Sequence, residues 1–312
     1  MAKFIVTGGA GFIGSNIVGE LVKRGHRVKV IDNLSTGHRS NLQDVVSKIQ
    51  FVKGDIRNLA LLEKEFLGFD YILHQAALRS VTKSLLKPKD YNNVNINGTL
   101  AVLQAAVKNK VKRLVFASSS SIYGEIDKFP AKETFLPQLI APYPLSKLAG
   151  EYYCRIFSKH YKIGTVCLRY FNVFGPKQSA KDEYALVIPK FITFFLHGEK
   201  PTVYGDGRQS RDFTYIDNVV EANISAATKG KIAHEIFNVA SGKDYTILEL
   251  IKELNNILGV NIKPTFLPKR PGDAPRTLAD ISKISKQLNF KPKINFIEGL
   301  KRTVEWSINE KK

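Results

Sequence analysis

Cysteine is nearly absent: Cys154 and Cys167 are the only two in 312 residues. Two are too few for a disulfide framework, so a reducing, cytoplasmic setting is the expectation. Nothing near 18 consecutive apolar residues occurs, which argues against a membrane-spanning helix. The first strand-like run begins at Lys3, so no signal peptide is expected ahead of it. The six histidines (His26, His38, His74, His160, His197 and His234) show no metal-ligand spacing, and no metal site is expected. Acidic residues are also short, 28 against 47 Lys and Arg, leaving a formal net charge of +19. Such an excess can mark a nucleic-acid binder or a surface suited to anionic ligands. The basic residues are spread along the chain, and their densest cluster, Lys108, Lys110, Lys112 and Arg113, follows a helical pattern where cations suit the negative helix end. Nucleic acid is therefore not expected as the main ligand. With 44% hydrophobic and 24% charged residues, the composition is that of an ordinary globular protein.

What is present starts at the N-terminus. Lys3-Phe4-Ile5-Val6 reads as a buried strand and runs into Thr7-Gly8-Gly9-Ala10-Gly11-Phe12-Ile13-Gly14-Ser15. Beyond it Ile13, Ile17, Val18, Leu21 and Val22 recur at helical spacing. Gly8, Gly11 and Gly14 let a backbone turn tightly and approach a pyrophosphate, whose charge the helix N-terminus favours. A second strand, Arg27 to Ile31, ends in Asp32, about 20 residues downstream, where a carboxylate holds adenosine ribose hydroxyls. That acid would repel a 2′-phosphate, so the cofactor expected is NAD, not NADP.

Strands and helices then alternate. Gln50–Asp55, Asp70–His74, Val111–Ala117 and Gly164–Tyr170 read as strands, and 58–67, 89–109 and 145–161 as helices. The fold class expected is α/β, a doubly wound parallel sheet, with a smaller C-terminal α/β substrate-binding domain. The boundaries expected are 1–175 for the NAD-binding domain and 176–312 for the second, with about 214–240 returning to the first. Prolines and arginines in the second half, Arg208, Arg211, Arg270 and Arg276 among them, suit a charged ligand.

Tyr143 and Lys147 stand four residues apart in Tyr-Pro-Leu-Ser-Lys, one face of a helix. An ammonium beside a phenol favours the phenolate and lowers its pKa, giving a general base usable at neutral pH. Ser118-Ser119-Ser120-Ser121 end the fifth strand, where the carboxyl ends of a doubly wound sheet face the ligand crevice.

Taken together, TGGAGFIGS, HQAA at 74–77, NVNINGT at 93–99, SSSSIYG at 118–124, YPLSK, RYFNVFGP at 169–176, SRDFTYIDNV at 210–219 and RPGD at 270–273 resemble the extended short-chain dehydrogenase/reductase family and, within it, the UDP-sugar 4-epimerases. The resemblance spans nearly the whole chain. It implies catalytic roles for Ser119, Tyr143 and Lys147. It implies cofactor contacts at Gly8, Gly11, Phe12, Ile13, Gly14, Asp32, Asn33, Ser35, Thr36, Gly37, Asp55, Ile56, Gln75, Ala76, Ala77, Asn95, Ser118, Tyr143, Lys147 and Tyr170. For the nucleotide sugar it points to Arg79, Ser119, Ser120, Ser121, Tyr143, Asn172, Val187, Tyr204, Arg211, Arg270, Asp273 and Thr277. Two arginine forks suit a pyrophosphate and an acid suits ribose hydroxyls.

Relatives that dehydrate or decarboxylate carry acids where this chain has Ser120 and Ser121, so a 4-keto intermediate is expected only to be reduced again: 4-epimerisation. Small Thr277, where stricter relatives carry tyrosine, implies room for a 2-acetamido group, hence UDP-GlcNAc and UDP-GalNAc as well as or instead of UDP-Glc and UDP-Gal. A UDP-glucuronate 4-epimerase is the alternative, with Arg79 or Lys177 meeting the carboxylate; a non-catalytic NAD- and nucleotide-sugar-binding protein is a second. The resemblance also implies a homodimer paired through the helix near 89–109 and the one after Tyr143.

Overall fold

The computed structural model describes residues 1–179, 187–269 and 274–310. Six strands of the first half, β1 (Lys3–Thr7), β2 (Arg27–Asp32), β3 (Ile49–Lys53), β4 (Tyr71–His74), β5 (Arg113–Ser119) and β6 (Gly164–Tyr170), lie in one parallel sheet. Side chains of the inner strands β1, β4, β5 and β6 are mostly buried, as expected of strands covered on both faces, while none of the edge strand β3 is. The helices between them are α1 (Phe12–Lys23), α2 (Leu59–Glu65), α3 (Val81–Leu86), α4 (Pro88–Tyr91), α5 (Gly98–Lys108) and α6 (Pro142–Tyr161). The chain order across the sheet reverses between β1 and β4, which are hydrogen-bonded neighbours with Thr7 opposite His74. Ligands bind doubly wound sheets at such a switch, outside the carboxyl ends of the strands.

In the second half the ordered elements are β7 (Val173–Phe174), α7 (Val187–Leu196), β8 (Thr202–Tyr204), β9 (Ser210–Arg211), β10 (Thr214–Tyr215), α8 (Ile216–Thr228) and β11 (His234–Val239). They continue with β12 (Tyr245–Thr246), α9 (Ile247–Leu258), β13 (Thr265–Leu267), β14 (Arg276–Thr277), α10 (Ser282–Leu288) and α11 (Phe296–Asn309). The strand β11 pairs in parallel with β6 and makes the seventh strand of the main sheet, giving the order β11-β6-β5-β4-β1-β2-β3. The remaining strands form small sheets: β9 lies between β12 and β14, β7 pairs with β10, and β8 with β13. Aromatic stacking binds this half together. The Phe296 ring lies 5.2 Å from Phe213 and 4.3 Å from Tyr245, and Phe174 packs edge-on against it.

One face of the sheet is covered by α1 and α8, the other by α2, α5 and α6. The helix expected at 89–109 runs from Pro88 to Lys108 as α4, a π-helical segment at Asn92–Asn97 and α5, helical without interruption at both joins. The π segment is anchored to the rest of the fold by Asn95: its Oδ1 accepts from Leu78 N at 2.8 Å, and its Nδ2 donates to Leu78 O and to Ser146 Oγ. The helix expected at 145–161 begins earlier, at Pro142, because proline suits a first turn, whose N–H has no helical partner.

Candidate functional site

A cavity of about 890 Å³ opens over the carboxyl ends of β1, β2, β4, β5 and β6 and extends to residues of the second half. At one end stands the glycine turn. Gly8 has φ +69°, and a Cβ there would come within 2.6 Å of Ala76 N, while one at Gly14 would fall on the Gly8 carbonyl oxygen. Backbone replaces side chain here, so a ligand can approach the main chain. Gly11 precedes α1 without any side-chain cap, leaving the first-turn amides of Phe12, Ile13 and Gly14 for an anion. Asp32, at the end of β2, accepts from Ala10 N at 2.9 Å and Leu34 N at 2.8 Å, so its carboxylate also orders the turn. Asn33, Ser35, Thr36 and Gly37 continue the wall. At the end of β3, Asp55 is gripped by Arg57, with Nε at 2.8 Å and an Nη at 2.7 Å, and receives Asn33 Nδ2 at 3.0 Å. The Arg57 bonds hold its carboxyl well below the usual carboxylate range.

At the other end lie Ser119, Tyr143 and Lys147. The Tyr143 phenol faces Ser119, whose hydroxyl favours the phenolate; the Ser119 Oγ also accepts from Ser121 N at 3.2 Å and from Ser121 Oγ at 2.9 Å. Lys147, 5% exposed, donates from Nζ to Ala117 O at 2.8 Å, and its ammonium sits 6.0 Å from the Tyr143 ring centroid. Burial pushes the Lys147 amine down to about 7. Burial likewise pushes the Tyr143 phenol up, against the Ser119 hydroxyl and the Arg79 charge, which pull it down. The lowered phenol expected from the four-residue spacing is therefore not what the structure shows. Lysine helps a phenolate only as an ammonium, and desolvation works against both charges at once.

The NAD dependent epimerase/dehydratase family matches residues 4–240. The chain belongs to that family. Within it the protein stands among the UDP-sugar 4-epimerases, NAD-using isomerases. A UDP-N-acetylglucosamine 4-epimerase from Methanobrevibacter ruminantium M1, solved with UDP-N-acetylmuramic acid, is 41% identical with a TM-score of 0.95, covering 99% of each chain. A UDP-glucose 4-epimerase from Thermotoga maritima, solved with UDP-glucose, is 37% identical with a TM-score of 0.94, covering 99% of this chain and 100% of its own. A UDP-glucuronate 4-epimerase from Thermodesulfobacterium geofontis is 35% identical, covering 98% of this chain and 96% of its own.

NAD is accordingly the cofactor of this epimerase-family chain, and the residues present fit it: a glycine cradle with no room for Cβ, uncapped helix amides and an acid at the end of β2. Of the residues named from the sequence, the cavity also brings together Ile56, Gln75, Ala76, Ala77, Ser118, Ser120, Ser121, Tyr170, Arg79, Asn172 and Thr277. Four are not on its wall. Asn95 is 2% exposed and its amide holds Leu78 and Ser146, so it braces the site from behind. Val187 opens α7, Arg211 donates to its neighbour's carbonyl, Ser210 O, at 2.8 Å, and Tyr204 lines a separate cavity of about 360 Å³. Arg270 and Asp273 lie outside the described residues. Lys177 faces away, donating to Asn41 O at 2.7 Å. The Ser118 hydroxyl is committed to Glu151 and not to the cavity.

Sequence reasoning missed Arg57, Ser80, Gln178 and Lys190 on the wall. Ser80 has φ +149°, a region serine rarely adopts, and Asn172 on the other half has φ +32°; both face the ligand space. Arg57 was discoverable as the basic residue two positions after a strand-end acid; the others carry no signal in the chain alone. No helix among the described residues is long and apolar enough to cross a membrane, and no group of three or more His, Cys, Asp or Glu there could hold a metal.

Proposed function

We propose that the protein inverts C4 of a UDP-hexose through a transient 4-keto sugar, accepting UDP-GlcNAc and UDP-GalNAc as well as or instead of UDP-Glc and UDP-Gal. The observation that carries this reading is the catalytic end of the cavity. Ser119, Tyr143 and Lys147 are assembled there, and positions 120 and 121 hold serines that cannot serve as the acid an elimination needs. Tyr143, facing Ser119, takes the C4 hydroxyl proton as the 4-keto sugar forms and returns it to the C4 oxygen when the ketone, turned over, is reduced from its other face. When bound, NAD would be held by the glycine turn, the first-turn amides of α1 and Asp32, and would supply the hydride acceptor and donor. Lys147, anchored on Ala117 O, keeps its Nζ beside the phenol. The UDP moiety carries the affinity and the hexose stays loose enough to turn over. Asn172, Arg211, Arg270 and Asp273 are assigned to the nucleotide and its pyrophosphate.

Thr277 supports the acetamido assignment. It lies on the cavity wall with its Oγ1 tied to Asn172 Nδ2 at 2.9 Å, so a small side chain is held clear of the sugar space. A second reading, UDP-glucuronate 4-epimerisation, is favoured by Arg79 on the same wall. The test is product analysis of UDP-Glc, UDP-Gal, UDP-GlcNAc and UDP-GlcA with the purified protein. Formation of UDP-GalNAc from UDP-GlcNAc is expected. Turnover of UDP-Glc and UDP-Gal alone would retire the Thr277 argument, turnover of UDP-GlcA alone would favour the second reading, and turnover of none would point to another nucleotide sugar or to a binding protein. Tyr143→Phe should lower kcat about 10²-fold or more while UDP-sugar binding survives.

We also propose a homodimer. Of the two helices expected to pair, α6 leaves Leu145, Tyr152 and Ile156 about half exposed, whereas 89–109 exposes no large apolar side chain; Leu85 and Leu86 on α3 are more exposed still. Together they present an apolar strip suited to a second copy.

A further inference from the structure

Tyr143, Lys147 and Glu151 recur at every fourth position of α6 and so share one face. All three meet three consecutive residues at the carboxyl end of β5. Tyr143 faces Ser119 across the cavity end, Lys147 Nζ donates to Ala117 O at 2.8 Å, and Glu151 Oε1 accepts from Ser118 Oγ at 2.6 Å. Gly150 permits this closeness, since a Cβ there would fall on the Phe116 ring. From the far side Glu151 is gripped by Arg169 of β6, through Nε at 2.9 Å and an Nη at 2.7 Å. Arg169 is itself held against the Tyr123 ring, 4.9 Å from its centroid, and donates to Glu133 O. Glu151, Arg169 and Ser118 are 2%, 3% and 3% exposed.

A buried ion pair is a poor source of stability, because removing both charges from water offsets most of their attraction. What this one supplies is stiffness. A bidentate guanidinium fixes the plane of the Glu151 carboxylate, and the carboxylate fixes the Ser118 hydroxyl directly beside Ser119. Proton transfer needs a heavy-atom separation of about 2.6–3.2 Å. A small slide or roll of α6 would carry Tyr143 out of that range.

We infer that Glu151, acting through Ser118, is a positioning residue that sets the height and rotation of α6 on β5 and thereby the reach of Tyr143 to Ser119 and the sugar oxygen. The inference rests on the 4-epimerase reading above.

The decisive variant is Ser118→Ala, which removes the link but leaves the Glu151–Arg169 pair. Its kcat should fall about tenfold or more, with KM for the UDP-sugar and the amount of bound NAD little changed. Ser118→Thr, which keeps a hydroxyl, should recover most of the rate. The double variant Ser118→Ala/Glu151→Gln should be no slower than Glu151→Gln alone, because both cut one contact. Unchanged kcat in Ser118→Ala would overturn the inference, as would a loss carried by KM or by bound NAD, or no recovery in Ser118→Thr. The two Ser118 variants decide the matter whether or not Glu151→Gln folds. A native protein that turns over no UDP-hexose would take down the epimerase reading and this inference with it. A native protein that is active, with Ser118→Ala equally active, would remove this inference alone.

Discussion

His74 and Lys147 are both buried bases whose protonated forms the fold resists. His74, 1% exposed, is held between Thr7 Oγ1 at 2.7 Å and Thr99 Oγ1 at 3.1 Å, and burial pushes it down to about 3. The unfolded chain protonates the same imidazole near 6.5, so between about 6.5 and 3 the unfolded state binds the extra proton. Stability should therefore be fully present above pH 6.5 and fall steadily as pH drops through that window, by a few kcal/mol on the order expected for several pKa units. Urea unfolding at pH 7.5 and 4.5 measures it, and His74→Gln should reduce the difference between the two. Lys147 has the same sign at higher pH: with a folded value of about 7 and an ordinary value of 10.5, it should add stability as pH rises from 7 toward 10. Lys147→Met should flatten that rise.

At the scale of the element, α1 offers a clean contrast. Gly14 and Gly19 sit in the same helix, yet a Cβ at Gly14 would strike the Gly8 carbonyl while one at Gly19 meets nothing within 4 Å. Gly14→Ala should yield protein without bound NAD, read from the absorbance ratio at the nucleotide and protein maxima. Gly19→Ala should keep its NAD and gain about 0.5–1 kcal/mol of stability, the ordinary cost of glycine inside a helix. Equal NAD content in the two variants would show that the turn is not the cradle. The site's other walls were less legible. The spacing of Tyr143, Lys147 and the serine run pointed to one another because strand ends and helix faces obey fixed periods. Asn95, expected to touch the cofactor, spends its amide on Leu78 and Ser146, a docking that no spacing in the chain foretells.

At the scale of the whole molecule, the ligand space joins two halves of the chain: Gly8 to Lys147 on one side, Asn172, Lys190 and Thr277 on the other. A ligand that touches both halves should couple them, so saturating UDP-sugar should raise Tm by a few degrees, in proportion to the logarithm of its excess over Kd. The apolar strip on α3 and α6 predicts a dimer by light scattering after gel filtration, and Tyr152→Glu with Ile156→Glu should convert it to monomer. A native monomer would sink that assignment.

The sequence by itself determined the glycine turn, the acid that ends β2, the parallel α/β alternation and the Tyr143–Lys147 pair. Each of these is a local matter of φ angles, side-chain period or residue spacing. Only the tertiary structure decided that the phenol is raised and the amine lowered, because desolvation depends on what the rest of the chain packs around them. It alone showed which side chains distant in sequence meet: Ser118 and Arg169 on Glu151, and Lys177 on Asn41 O. Long charged and polar side chains choose partners across the fold, over sequence distances on which no periodicity operates.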